Sequence, residues 1–548
     1  MKNLLSDWRL HWFLLLLPVA LFLPAVPIDE TRYLTVAWEM RASGDYFLPH
    51  LNGTIYTDKG PMLFWLINFA WLIAGLHVWV VRVGVLVASL ASLFLFERLA
   101  LRLDADAAFA RRAALLLAGM TLFALYSPLI MFDVVLTTCV LVVLHGVLDL
   151  DAQRPLRGIA LIAIGTAAGL LVKGPVVLLD ACIPALLAPW WSDTARRAPM
   201  RWYGTLLLGI VVGASLALVW ALLAGGMSFI ETVLLRQTAK RISQSFAHAR
   251  PFWWYFMVLP LLILPWTVSL RARWRTWRES FNASKAVRFG VAAFLPALIA
   301  FSCVSGKQIH YLLPLLPGLA LYLAEVLRDA DARVRGRLFG AILVLVGIVV
   351  AAMPYLAEHA ATLPLLAGQV HDGSFTPTEQ HVIGGLWPLW GALLLLLGIF
   401  LLVHPRAHAQ LRALTLVAVA AISTGLLAIA QAAGPTLDVT PTASHIRAMQ
   451  DAGKPIAHLG WHHGLFGFPG RLEKPLDKVD MDTVYPWCAA HPDGEIITFY
   501  TKYGIAAKPA QEIPYRLGRI LIWHAAEFCA APRPTHSTKP DEDDTPDD

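Results

Sequence analysis

Two stretches of the chain carry the same tripeptide, Lys59-Gly60-Pro61 in TDKGPMLFW and Lys173-Gly174-Pro175 in LVKGPVVLL. A lysine beside a helix start, where backbone N–H groups have no helical acceptor, is built to hold an anion, phosphate best of all. Proline near the first turn costs nothing, because its missing N–H would have gone unused. One copy reads as helix-start punctuation with a lysine reaching for water. Two copies on one side of a membrane, with Arg250 and Lys307, point to a phosphate or pyrophosphate held at its surface. Acids form the second set. Asp29, with Glu30, Arg32 and Tyr33, directly follows the apolar run HWFLLLLPVALFLPA, and Asp133 is embedded in SPLIMFDVVLTTCV. Carboxylates have short stems and cannot reach back to water as Lys and Arg do, so an acid at the bilayer edge marks a functional site by default. The plain alternative is helix N-capping. Asp29 would open an interfacial helix, DETRYLTVAWEMRAS, that stops at Gly44, and Asp133 would open the span that follows it. A cap also fixes a carboxylate in place, so capping and catalysis are compatible.

The elements that must position these residues are membrane spans. Of 548 residues 57% are hydrophobic and 15% charged, with a mean hydropathy of +0.60, which excludes an ordinary soluble globular chain. Blocks long enough for the ~30 Å hydrocarbon layer fall near 12–26, 80–98, 112–128, 134–150, 158–172, 175–190, 203–225, 253–270, 289–305, 311–326, 338–354, 385–403 and 413–433. A further block, 61–76, would reach only about 24 Å at ~1.5 Å per residue, and is read as interfacial or re-entrant. With that block not crossing and the N-terminus cytoplasmic, 23 Lys and Arg lie inside against 10 outside before residue 434. Letting it cross would invert every later loop and break the positive-inside rule. The expectation is therefore about thirteen transmembrane helices, with the C-terminus outside. The first span is read as uncleaved, since it has no small-x-small cleavage site.

In this topology the remaining ionisable residues near helix ends gather on the outer face: Asp29, Glu30, Arg32, Asp58, Lys59, Asp133, Lys173, Lys240, Arg241, His248, Arg250, Lys307 and His310. A transporter or flippase would concentrate its charges near the midplane on broken helices instead. The net charge of +6 sits in short clusters between apolar segments, and no nucleic-acid footprint is visible. After residue 433 the pattern changes. ASHIRAMQDAGKPIAHLG reads as a helix ending near Gly453 and then a strand, and GEIITFY and GRILIWHA as further short strands. The expected organisation is 1–433 as the membrane catalytic domain with outward loops 27–79 and 226–252, 434–530 as a small periplasmic α/β domain, and 531–548 as a disordered acidic tail. Cys139, Cys182 and Cys303 read as core fillers, while Cys488 and Cys529 could be bridged in an oxidising compartment. His458, His462 and His463 lack clear metal-ligand spacing.

The ordered set IDETRY, SGDYFLPHLNGTIYTDKGPMLFWL, FDVVLTT, LVKGPV, HARPFWWYFMVLPLLILPW and KQIHYLLPLLPGLAL, covering about the first 330 residues, resembles the polyprenyl-phosphate-sugar transferases of the GT-C fold. The nearest resemblance is to the lipid A aminoarabinose transferases, with protein O-mannosyltransferases as relatives. The resemblance implies an inverting glycosyltransferase of the bacterial inner membrane, N-terminus cytoplasmic and C-terminal domain periplasmic. Its donor would be a polyprenyl (undecaprenyl) phosphate sugar and its acceptor lipid A, another envelope glycolipid or, as the alternative, protein. It assigns catalytic roles to Asp29 and Asp133 and donor-phosphate contacts to Lys59, Lys173, Arg250 and Lys307. Glu30, Arg32, Tyr33, His310 and Tyr311 become supporting residues. It requires no cofactor, but allows a divalent metal at Asp58 and His248. The chain departs from the family pattern in having Lys-Gly-Pro for Lys-Pro-Pro and Asp58 for a glutamate, and both departures bear on the metal site.

Overall fold

A computed structural model describes residues 7–230, 249–329, 332–364, 366–371, 375–404, 410–499, 505–516 and 518–532. Its main helices are α1 (Trp8–Phe22), α2 (Asp29–Ser43), α3 (Met62–Ala74), α4 (Val78–Leu103), α5 (Ala107–Gly119), α6 (Thr121–Tyr126), α7 (Phe132–Asp151), α8 (Pro155–Lys173), α9 (Val176–Leu186), α10 (Pro199–Ile230), α11 (Trp254–Leu262), α12 (Lys285–Cys303), α13 (Leu316–Val326), α14 (Arg337–Glu358), α15 (Pro388–Val403), α16 (Leu411–Leu437) and α17 (Thr440–Asp451). Among the described residues eight helices are long and apolar enough to cross a bilayer, and a bent pair ending in α15 makes a ninth; α1, α3 and α9 are apolar but shorter. The chain is a multi-span membrane protein.

Several apolar blocks are broken where the sequence suggested single spans. The block at 112–128 divides into α5 and α6 at Met120, whose ψ of 130° leaves Thr121 N free to donate to Leu264 O at 2.9 Å. The block at 253–270 stops at Leu262, ahead of Pro265. The block at 311–326 begins as a 3-10 turn, Ile309–Leu315, around Pro314. Proline removes a helical donor and crowds the preceding turn, so hydropathy finds the block and proline decides its shape.

The chain packs as two compact units. The first comprises Met1–Phe22, Thr57–Val349 and Gly391–Leu427. At its centre α7 buries most of its length and lies against α8 through glycine. A Cβ on Gly165 would sit 2.9 Å from Cys139 O, and one on Gly146 2.9 Å from Gly158 O. In lipid, where helices gain nothing by hiding from water, such close backbone approach is what holds them together.

The second unit comprises Leu23–Tyr56, Val350–Trp390 and Ala428–Asp548. Its sheet has strands β1 (Ile456–Leu459), β2 (Asp477–Val479), β3 (Glu495–Phe499), β4 (Gln511–Tyr515) and β5 (Gly518–His524) in the order β2-β1-β3-β5-β4. Both β2 and β3 run parallel to β1, while β5 is antiparallel to β3 and β4. Alternate residues fill two cores: Ile456, Ile497 and Ile520 pack with Ile446 and Phe466, and Ala457, Ile496 and Leu521 pack with Val484 and Phe528. Cys488 and Cys529 form a disulfide. Helix α2 belongs to this unit. Thr35 Oγ1 donates to Gly464 O at 2.6 Å and accepts from Phe468 N at 2.9 Å, Trp38 Nε1 donates to Leu472 O, and Asn52 bonds both N and O of Leu476.

Candidate functional site

The first unit gathers its chemistry at the ends of α7 and α8. Asp133 is 2% exposed, and its Oδ1 accepts from Lys173 Nζ at 2.6 Å. Both side chains are buried, at 3% and 8% exposure. Lys173 Nζ also lies 4.0 Å from the centre of the Tyr311 ring, and His310 Nε2 is 3.7 Å from Asp133 Oδ2. The His310 ring meets those of Tyr311 at 4.9 Å and Tyr126 at 5.7 Å. One acid, one lysine, one histidine and two tyrosines thus converge from α6, α7, α8 and the 3-10 turn.

Local sequence explains how Lys173 and its neighbours are set. Helix α8 stops at Lys173 because Gly174 takes φ 66°, a conformation that favours glycine, and Pro175 then starts α9. The other tripeptide is brought against the same helix end. A Cβ on Gly60 would fall 2.1 Å from Leu171 O and 2.6 Å from its carbonyl carbon, so only glycine lets this backbone lie flush on the last turn of α8. Here lies a physical reason for Lys-Gly-Pro: glycine places the Asp58–Lys59 loop beside the turn that carries Lys173. Helix α3 then packs Phe64 edge-on to Phe132 at 5.6 Å, one residue before Asp133.

Arg250 and Lys307 occupy a second, adjoining pair of loops. Lys307 is buried, and its ammonium donates to the carbonyls of Arg250 at 2.8 Å, Ser305 and Val304. Arg250 N donates to Ser305 O at 3.1 Å, and Tyr255 OH donates to Gln308 O at 2.9 Å. Lys307 therefore ties the two loops together by backbone bonds, and the exposed Arg250 keeps its guanidinium over the Trp254 ring at 5.9 Å.

Within the second unit Asp29 Oδ1 accepts from Arg32 Nη2 at 2.9 Å and from Tyr33 OH at 3.0 Å. Its side chain stays 43% exposed. Glu30 is buried and accepts from Val26 N at 2.7 Å, closing the turn into α2. Burial and the Asp29 charge push the Tyr33 phenol well above its ordinary value, so it remains a donor to the carboxylate at any working pH. Helix α2 runs over the expected residues and ends at Gly44, which takes φ 76°.

The capping expectation is corrected for both aspartates. Ile28 holds the N-cap position of α2 and Met131 that of α7, and neither makes a side-chain cap bond. Asp133 follows its cap by two residues and turns into the bundle toward Lys173. Three expected residues, Lys240, Arg241 and His248, lie outside the described residues, as does most of loop 226–252. The metal expectation rested on Asp58 and His248. Of that pair Asp58 lies among the described residues and His248 outside them; among the described residues no three His, Cys, Asp or Glu gather at metal-binding distance. Asp180, Tyr126 and Tyr255 went unnoticed in the sequence. A lone acid in VVLLDACIP, inside an apolar helix, was the signal for Asp180; the tyrosines had none.

Comparison with known proteins adds three findings. A family model described as dolichyl-phosphate-mannose-protein mannosyltransferase matches residues 58–220. The undecaprenyl phosphate-alpha-4-amino-4-deoxy-L-arabinose arabinosyl transferase of Pseudomonas paraeruginosa is 31% identical over 59% of this chain and 61% of its own length. Its counterpart in Pseudomonas aeruginosa UCBPP-PA14 is 31% identical over 58% and 60%. The matched region thus spans about three-fifths of these relatives. Among solved structures, ArnT from Cupriavidus metallidurans bound to undecaprenyl phosphate superposes with a TM-score of 0.69 at 19% identity, covering 94% of this chain and 96% of that one. Its apo form gives 0.70 at 18%, covering 95% and 96%.

Proposed function

We propose that this chain, whose fold is the GT-C fold of ArnT, moves a sugar from a polyprenyl phosphate donor to lipid A or a related envelope glycolipid. The carrying observation is the buried Asp133–Lys173 pair under Tyr311, with Gly60 setting the Lys59 loop against the same helix end. A polyprenyl tail cannot leave the bilayer, so the phosphate head must be met at its rim.

In this reading the acceptor oxygen bonds the anomeric carbon from one face as the carbon–oxygen bond to phosphate breaks on the other, so configuration inverts. The bonding pair leaves on the phosphate, which gains one negative charge. Lys59, Lys173 and Arg250 stabilise that growing charge, and Lys307 holds the Arg250 loop. Asp133 orients Lys173 through their hydrogen bond. Asp29, steadied by Arg32 and Tyr33, orients the acceptor; a phosphate acceptor is already ionised, whereas a hydroxyl would give its proton to Asp29.

The reading sets residues 1–433 as the catalytic part and 434–530 as a periplasmic domain of an inner-membrane protein with a cytoplasmic N-terminus. Its supports are the arginine asymmetry and the Cys488–Cys529 disulfide, a feature of oxidising compartments. Protein O-glycosylation is the second reading, favoured by the mannosyltransferase match over 58–220. Mass spectrometry of lipid A and of periplasmic glycoproteins, from cells with and without the protein and with Asp29→Asn, tests both. A sugar missing from lipid A supports the first reading, and one missing from glycoproteins the second. An unchanged profile in every fraction would remove the enzyme reading.

A further inference from the structure

The 3-10 turn Ile309–Leu315 carries two side chains of the site, His310 and Tyr311, yet little in its own sequence holds it. A 3-10 turn closes with poorer hydrogen-bond geometry than an α-helix, and Pro314 within it has no N–H to give. What fixes the two rings must therefore come from outside the turn. Gln308 opens it in extended backbone, at φ −123° and ψ 142°, and its carbonyl accepts from Tyr311 N at 3.2 Å, the bond that closes the first turn. The same oxygen accepts a second bond, from Tyr255 OH at 2.9 Å.

Tyr255 is placed as a fixed support. It is 0% exposed and stands in the first turn of α11, its ring 5.2 Å from that of Trp254. Beyond the far end of α11, Leu264 O accepts from Thr121 N at 2.9 Å and from Thr121 Oγ1 at 3.1 Å, which joins that end to the start of α6. Helix α6 in turn ends at Tyr126, whose ring lies 5.7 Å from that of His310. Just before the turn, Lys307 is tied to the carbonyl of Arg250 at 2.8 Å; Tyr255 supplies the bond to the turn itself. A phenylalanine would fill the same space. What the hydroxyl adds is direction: a carbonyl held at both lone pairs cannot rotate its peptide, and rotation there would swing the Tyr311 ring, whose centre is 4.0 Å from Lys173 Nζ.

We propose that Tyr255 is a positioning residue of the phosphate site: its hydroxyl, acting through Gln308 O, sets the Tyr311 ring over the Lys173 ammonium and so fixes where that ammonium meets a phosphate. This rests on the reading of Lys173 as a donor-phosphate contact.

The test compares the full chain in nanodiscs as wild type, Tyr255→Phe and a control, Tyr322→Phe, which removes a like bond to Trp277 O at 2.8 Å elsewhere in the same unit. Two quantities are read: the fluorine NMR resonance of 3-fluorotyrosine placed at position 311, and the affinity for undecaprenyl phosphate. Tyr255→Phe should shift the resonance and weaken binding about five- to tenfold, the loss expected of one hydrogen bond. The control should change neither. Once Tyr311→Leu has removed the ring, Tyr255→Phe should weaken binding little further. An unmoved resonance in Tyr255→Phe, an equal loss of affinity in the control, or losses that add in full in the double variant would each overturn the proposal. If Tyr255→Phe does not fold, 4-aminophenylalanine at position 255, a weaker donor of the same shape, takes its place with the same outcomes. Wild type that binds no undecaprenyl phosphate would instead sink the functional reading.

Discussion

Replacing Lys173 by methionine and Asp133 by asparagine should have unequal costs, and the inequality follows from what each leaves behind. Both side chains are nearly sealed from solvent, at 8% and 3% exposure, so water does not screen the pair. Lys173→Met abandons a buried carboxylate whose remaining neighbour is His310 at 3.7 Å; stranding one member of such a pair costs about 3–5 kcal/mol. Asp133→Asn keeps an oxygen where Oδ1 accepts at 2.6 Å and leaves the ammonium 4.0 Å from the Tyr311 ring, an attraction worth up to ~2 kcal/mol when desolvated. Its cost should be about 1–2 kcal/mol. In the double variant no charge is stranded, so it should be more stable than Lys173→Met alone. Unfolding of the four proteins in nanodiscs, read as a double-mutant cycle, measures this. Equal single costs that simply add in the double variant would refute the account of Asp133 and Lys173 as one coupled unit.

Two further outcomes follow from other parts of the structure. Gly60→Ala puts a methyl 2.1 Å from Leu171 O; the backbone must part, at about 1–3 kcal/mol, and kcat/KM for donor should fall on the order of a hundredfold as the lysines shift. In the second unit His458, fully buried, has its imidazole pushed by burial from 6.5 down to about 4. Since the folded value lies below the unfolded one, the stability tied to the neutral ring is complete above about pH 6.5 and is lost as pH falls toward 4. The loss totals about 3 kcal/mol. Hydrogen exchange of β1 and β3 between pH 7 and 4.5 should show it, and a His458→Phe protein should respond less; identical slopes would remove His458 as the cause.

Much was legible before any coordinates. Helix α2 could be bounded from Asp29 at its start and Gly44 at its end, because a left-handed residue ends a helix in a way that depends on local chain alone. Strands β1, β3 and β5 were readable from alternation between turn residues, and the paired Lys-Gly-Pro motifs from residue type. The aspartates were less legible. A carboxylate near a helix start looks like a cap in sequence, and whether it turns back to its own backbone or across to another helix depends on what stands opposite.

What the sequence determined by itself is the kind of molecule: hydropathy marks a chain of many apolar, membrane-spanning blocks, since it is a sum over local composition. What only the tertiary structure decided is which charges meet. Lys173 lies 40 residues from Asp133 and Tyr311 farther still, Gly60 finds Leu171 by the absence of a single methyl, and among the described residues neither carboxyl oxygen of Asp180 has a hydrogen-bond partner. Pairings of that sort come from packing at ångström precision between helices distant in the chain, and no local pattern encodes them.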